Sequence, residues 1–420
     1  MTTERGTDHR MGEASVTVTD ASGRPVAEQK VTIEQTRHDF SFGNIGFDLV
    51  EWIGGEGDAG THLFGGASVA SAPELADRYL ELYNATTLPF YWRGFEPSRG
   101  EPDTQRLLRA ARWFADRGVS VKGHPLLWHT LAPQWLMELD DAEAESVMRA
   151  RIVRETHDFA GVVDLWDAIN EAVILPVFTA DPNAVTRLAQ TKGRVEMVRM
   201  AFDSAREGNP NARLVLNDFD LSADYERLIE ECLDAGIQID AIGLQTHMHQ
   251  GYRGEDAVWE ILERFARFGL PLQMTETTLV SGDLMPPHIV DLNDYVVDDW
   301  PSTPEGEERQ AEEIVRHYRT LVSHRSVESI TYWGLTDEGA WLGAPAGLLR
   351  RDGSPKPAFD ALLGLIKDEW WVAPTQMRTN GEGRVDVRGF AGDYRISHGN
   401  SSADFHIDRG APARASATLE

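Results

Sequence analysis

Two glutamates, Glu171 and Glu276, each end a short apolar run: Glu171 closes Trp166-Asp-Ala-Ile-Asn-Glu171, and Glu276 follows Leu272-Gln-Met-Thr275. Retaining cleavage of a glycosidic bond needs such a pair, one protonated carboxyl for the leaving oxygen and one carboxylate for the anomeric carbon, about 5–5.5 Å apart. Histidines, amides and tryptophans sit at comparable run ends, in Lys122-Gly-His-Pro-Leu-Leu-Trp-His129, Asn217-Asp-Phe-Asp220, Gln245-Thr-His-Met-His249 and Trp333-Gly-Leu-Thr-Asp-Glu338. Amides and imidazoles suit sugar hydroxyls, and indoles suit pyranose faces. Asn170, beside Glu171, is placed to hold a sugar 2-hydroxyl. A strand-end glutamate can also do no more than cap the next helix, and composition does not separate the two readings. His247 and His249, two apart on a strand, share a face, as in some metal sites. Further ligands would be needed and the acidic candidates are already used, so no metal is assigned. His124 reads as a site contact, His129 as a core histidine and Cys232 as an inert buried thiol.

One rim must collect these groups. Predicted strands at 40–46, 86–90, 119–123, 163–169, 214–217, 241–246, 272–275 and 329–333 alternate with helical stretches such as 142–159, 195–206, 222–235, 256–268 and 305–321. Strands each followed by a helix predict an α/β fold, a (β/α)8 TIM barrel over residues 38–367, with its chemistry at the C-terminal strand ends. There the fourth and seventh strands, which carry Glu171 and Glu276, face each other. An open doubly wound sheet would show a Gly-rich phosphate turn after its first strand, and Gly43-Asn-Ile-Gly46 is a poor match. A glycine-rich stretch at 55–66 reads as a surface loop near the site. Residues 1–13 are polar and read as a disordered tail. Alternation through Val16, Val18, Val26, Val31 and Ile33, around a turn at 20–25, predicts an N-terminal β-hairpin over 14–37. Residues 368–420 alternate again and predict C-terminal strands that pack with that hairpin as a small accessory β-element. Among the tryptophans, Trp113, Trp259, Trp370 and Trp371 read as packing residues, and Trp128, Trp333 and Trp341 as rim residues.

Composition narrows the partners. The chain has 420 residues, with 40 Lys+Arg against 68 Asp+Glu and a formal net charge of −28. Such a surface repels phosphate backbones and anionic bilayers, so the expected partner is a carbohydrate, with neither nucleic acid nor membrane. A single cysteine leaves no intrachain disulfide and no Cys-based metal site. Residues 1–10 hold no apolar stretch of the signal-peptide kind, so the sequence as it stands reads as cytoplasmic, or as secreted if a signal was removed.

The motifs together resemble glycoside hydrolase family 10, whose best-known members are retaining endo-1,4-β-xylanases. Gly123-His-Pro-Leu-Leu-Trp-His129 is similar to that family's GHTLVWH, and Trp166-Asp-Ala-Ile-Asn-Glu171-Ala to its WDVVNEA. Leu216-Asn-Asp-Phe219, Ile242-Gly-Leu-Gln-Thr-His247, Met274-Thr-Glu276, Tyr332-Trp-Gly-Leu-Thr-Asp337 with Trp341, and Glu96-Pro-Ser-Arg-Gly100 match further blocks in family order. The resemblance, from about residue 40 to 363, implies Glu171 as acid/base and Glu276 as nucleophile. It implies His124, Asn170 and Gln245 around the cleaved sugar, His247 bonded to Glu276, and Trp128, Trp333 and Trp341 lining the glycone side. It implies no cofactor. Short oligosaccharides or plant aglycone glycosides are the alternative substrates, and a catalytically silent carbohydrate-binding barrel is the non-enzymatic alternative. Two departures stand out. Where the family has a block like PENEMKW, whose Glu, Asn and Lys grip a second glycone sugar, this chain has a shorter Thr86-Thr-Leu-Pro-Phe-Tyr-Trp92. Trp92 is retained as a substrate contact, and the apolar replacements predict a more apolar glycone side. Thr278 stands where the family's TELD block has its Asp, which predicts a less charged His247.

Overall fold

The computed structural model describes residues 6–55, 72–410 and 413–419. Its centre is a closed barrel of eight parallel strands: β3 (Ser41–Ile45), β4 (Ala85–Pro89), β5 (Ser120–His124), β6 (Leu165–Asn170), β7 (Arg213–Asp218), β8 (Ala241–Met248), β9 (Leu272–Leu279) and β10 (Val327–Tyr332), with β10 closing onto β3. The fold is a (β/α)8 barrel. Each strand lies within a few residues of its predicted position, because barrel strands are buried on both faces and stand out as short, largely apolar runs between helical stretches, even where Asn44, Lys122 or Asp167 interrupts them. The acidic stretch at Asp140 is a helix start: its carboxylate accepts from the Glu143 N–H and opens the helix Asp141–Asp158. Thr303 caps Pro304–Ser323 in the same way, with Pro304 in the first turn. The stretch predicted as a loop at 55–66 lies, beyond Gly55, outside the described residues.

The tails build two sheets. In one, β1 (Met11–Asp20) lies between β12 (Arg384–Phe390) and β15 (Ala413–Leu419). In the other, β2 (Lys30–His38) lies between β11 (Thr375–Arg378) and β13 (Gly392–His398), with β14 (Ser401–Ile407) outermost. The predicted hairpin over 14–37 is therefore corrected: β1 and β2 do not pair with each other but enter different sheets. Their inward residues Val16, Val18, Val31 and Ile33 meet Val385, Val387, Ile396 and Ile407 in a separate small core. Alternation showed that each strand has one buried face, but carries no information about which strand lies beside it. Of the predicted disordered tail at 1–13, residues 1–5 lie outside the described residues, and the rest is corrected. Residues 8–10 form a helical turn, and β1 starts at Met11. Arg10 is buried beneath the barrel, where its guanidinium donates to the carbonyls of Val322, His324 and Val327.

Candidate active site

Glu171 follows β6 at φ +57°, a left-handed conformation that costs a non-glycine residue on the order of 1–3 kcal/mol. Its N–H is tied to the Asn217 carbonyl at 2.8 Å. The Trp128 indole N–H donates to Oε2 at 2.8 Å, the Asn170 amide to Oε1 at 3.2 Å and the Gln245 amide to Oε1 at 3.4 Å. Burial, then the charge of Glu276, pushes the Glu171 carboxyl up from its ordinary value to about 8. It is a protonated acid at neutral pH.

Glu276 lies inside β9 and faces the same space. The Asn217 amide donates to its Oε1 at 3.0 Å, and His247 Nε2 lies 3.2 Å from its Oε2. Asn217 also donates to the Asn170 carbonyl oxygen at 2.8 Å and accepts from the Thr275 hydroxyl at 2.6 Å. This network spans β6, β7 and β9 and holds the two carboxyls in one frame. A Cβ on Gly243 would overlap the Asn217 side-chain oxygen, so a residue without one stands beside it. The His247 Nδ1 lies 2.7 Å from the Thr278 hydroxyl. A carboxylate only accepts, so His247 donates through Nε2 to Glu276, and in the neutral ring that leaves Nδ1 to accept from the Thr278 hydroxyl. An aspartate in that place would instead accept, and so favour a second proton on the ring. That is the chemical meaning of the Thr278 departure.

His124 stands at the end of β5, its Nδ1 2.8 Å from Asp167 Oδ2 and its Nε2 3.9 Å from Glu276 Oε1. Lys122 pairs with the other Asp167 oxygen at 2.7 Å. Burial works to raise the Asp167 carboxyl, but the Lys122 charge and the His124 hydrogen bond outweigh it and hold the group below its usual range. Trp333 lies edge-on to His124, with ring centres 5.2 Å apart, and Trp341 lies 4.8 Å from the His247 ring.

Glu171, Glu276, His124, Trp128, Asn170, Gln245, His247, Trp333 and Trp341 thus gather at one rim. Trp92 is not brought there. It begins a helical turn, Trp92–Phe95, that carries its ring against the Arg151 guanidinium, and its indole N–H donates to Glu96 at 3.0 Å. Its neighbours Leu88 and Phe90 do not face the sugar space either. Both are fully buried, Phe90 against Phe159 and Trp166. Only Tyr91 of that block reaches the site, in ring contact with His124 and Trp128.

His129, read as a core histidine, is indeed buried, but its Nε2 is 3.7 Å from Glu171 Oε2, and burial lowers it to about 3, so it is neutral. Lys122, Asp167 and Asn217 were not singled out as site residues. Each lies in a motif already read, and the rule that barrel chemistry gathers at strand ends points to Asn217 at the end of β7. His249 packs against the Trp300 and Trp341 rings, and among the described residues no group of three or more His, Cys, Asp or Glu is arranged to hold a metal ion. Cys232 is buried, its thiol pushed up to about 12.

A parallel barrel with two carboxyls and sugar-suited side chains at one rim defines a class, the barrel glycosidases. Residues 89–365, more than half of the chain, match the model of glycosyl hydrolase family 10. The chain belongs to that family and is a glycoside hydrolase. The match begins inside the departing block, at Pro89. Endo-1,4-beta-xylanase 3 of Hypocrea jecorina is 24% identical over 285 residues, covering 66% of this chain and 73% of that protein. An endo-1,4-beta-xylanase of Geobacillus stearothermophilus is 28% identical over 271 residues, 59% of this chain and 77% of that one. Xylanase 10B of Thermotoga petrophila, solved in complex with xylobiose, superposes with a TM-score of 0.61 at 21% identity, over 78% of this chain and 95% of that one. At that identity the likeness speaks for the fold.

Proposed function

We propose that this hydrolase is xylanase-like and cleaves β-1,4-linked xylose units, from xylan or xylo-oligosaccharides, with retention by double displacement. The observation that carries this is the pair of carboxyls, Glu171 and Glu276, held at one rim in a single hydrogen-bonded frame through Asn170 and Asn217. Glu171 gives its proton to the leaving oxygen as Glu276 attacks the anomeric carbon. Glu171, now ionised, then takes a proton from the water that releases the sugar. Asn170 and Gln245 meet the ring hydroxyls, and His247 and Asn217 orient the nucleophile. The named xylanases among the relatives support the sugar assignment. A second reading, short oligosaccharides or aglycone glycosides, is favoured by Tyr91, the aromatic residue of the departing block that reaches the site beside His124 and Trp128.

The test is a pair of variants assayed on aryl β-xylosides and β-xylobiosides. Glu276→Ala should lose about 10⁴-fold or more on every substrate. Glu171→Ala should retain turnover only where the leaving group needs no proton, and azide should restore it as a β-glycosyl azide. Undiminished turnover in Glu276→Ala overturns the nucleophile assignment, and an α-configured azide product overturns retention.

A further inference from the structure

From the barrel geometry we infer that the glycone side of this site holds one sugar ring and no more, so that the enzyme removes single terminal sugars. The inference rests on the hydrolase reading above, with Glu171 as the proton donor. The donor must stand beside the leaving group, so the leaving group departs past Glu171, toward the loops after β6 and β7. The sugar that keeps the anomeric carbon lies on the other side of the scissile bond, against His124 and Trp333, and any further glycone sugar must extend behind that pair.

That space is filled. The ends of β10, β3, β4 and β5 are consecutive around the barrel, and the segments there supply Ile45, Phe47, Tyr91, Leu131 and Trp333, which form one buried cluster with Trp128 against it. The rings interlock. Phe47 lies edge-on to both Tyr91 and Trp333, at 5.9 and 5.6 Å between centres, and Tyr91 is tilted against Trp128 at 5.7 Å. Phe47 is 2% exposed and Tyr91 1%. Tyr91 comes from the block that departs from the family pattern, and its ring lies edge-on to His124 at 5.7 Å between centres, which places it at the back of the sugar space. The side chains of this cluster offer a second sugar's hydroxyls only a phenol and indole N–H groups, of which the Trp128 N–H is already given to Glu171. Phe47 and Tyr91 are therefore specificity-determining residues that end the glycone pocket.

The experiment uses matched aryl glycosides differing by one glycone sugar, β-xyloside against β-xylobioside and β-glucoside against β-cellobioside, with the early products from xylotetraose followed by chromatography. The wild-type enzyme should favour the monoside of its preferred pair by about tenfold or more in kcat/KM, and xylose should be the first product from xylotetraose. Phe47→Ala and Tyr91→Ala should move the ratio toward the bioside. The wild-type ratio and product order need no variant, so misfolding of either variant leaves the test intact. A wild-type preference for the bioside, or xylobiose as the first product, overturns this inference and leaves the hydrolase reading standing. No turnover of either member of either pair overturns the hydrolase reading and this inference with it.

Discussion

The two halves of the barrel rim are built on opposite plans. Around β10, β3, β4 and β5 the strand ends are sealed by interlocked, buried aromatic side chains. Around β6, β7, β8 and β9 they carry the polar frame of Asn170, Asn217, Gln245, His247 and the two glutamates, and beyond it the segments leave apolar side chains in water: Val177 at 63% exposure, Phe219 at 45% and Val290 at 97%. Glu171 stands where the two halves meet, and its burial there, then the charge of Glu276, raises its carboxyl. The open half must admit a leaving group and then a water molecule. Buried aromatic packing tolerates little change in volume, so the sealed half selects by shape. The open half can accept leaving groups of varied size through apolar contact.

This contrast can be broken from either side, starting with the polar frame. Asn217→Ala removes the amide that orients both Glu276 and Asn170, and kcat/KM should fall about 10²-fold with the fold intact by circular dichroism. An unchanged rate would show that the frame is ornamental. On the open rim, Val177→Ser with Phe219→Ser should raise KM for aryl glycosides by about three- to tenfold and leave the pH profile in place. An unchanged KM would show that the exposed apolar surface serves something other than the leaving group.

Smaller effects concern the carboxyl between the halves. In the proposed mechanism Glu171 must be protonated to act, so kcat/KM should fall as pH rises through about 8. The Trp128 hydrogen bond favours the ionised form, so Trp128→Phe should move that alkaline limb to higher pH. A downward shift would mean that solvent reaches Glu171 once the indole is replaced. Stability follows the same sign. A carboxyl whose folded value is raised contributes its full stability below the ordinary carboxyl range and loses it as pH rises through about 8. Glu171→Gln should therefore match the wild-type Tm near pH 4 and exceed it by a few degrees near pH 9, read by calorimetry.

Much of the barrel was legible in the sequence, because doubly buried strands are short, largely apolar runs spaced by amphipathic helical stretches. Glu171, Glu276 and the histidine and tryptophan motifs were legible for the same reason. Partnership was not. Val16 and Val18 show that β1 buries one face, but their neighbours on β12 and β15 are more than 350 residues away, and local pattern favours the nearest strand. Asp167 and Asn217 lie in motifs that stand out in the sequence, yet their contacts depend on pairing between strands. Trp92 shows the limit most plainly. A single helical turn decides whether the ring faces a sugar or the Arg151 guanidinium, and a residue name does not encode that turn.

The parallel pairing of β1 with β15 has a consequence for biosynthesis. At about 5–20 residues per second, β1 leaves the ribosome roughly 20–80 s before the strand that will lie beside it. Throughout that interval the edge of β1 that β15 will close has no strand beside it, although β12 reaches the opposite edge shortly before, while the barrel can already assemble. Such an edge is a template for pairing with other nascent chains. The interval between first and last strand is therefore when this protein is most exposed to misassembly, and slowing translation should cost soluble yield rather than improve it.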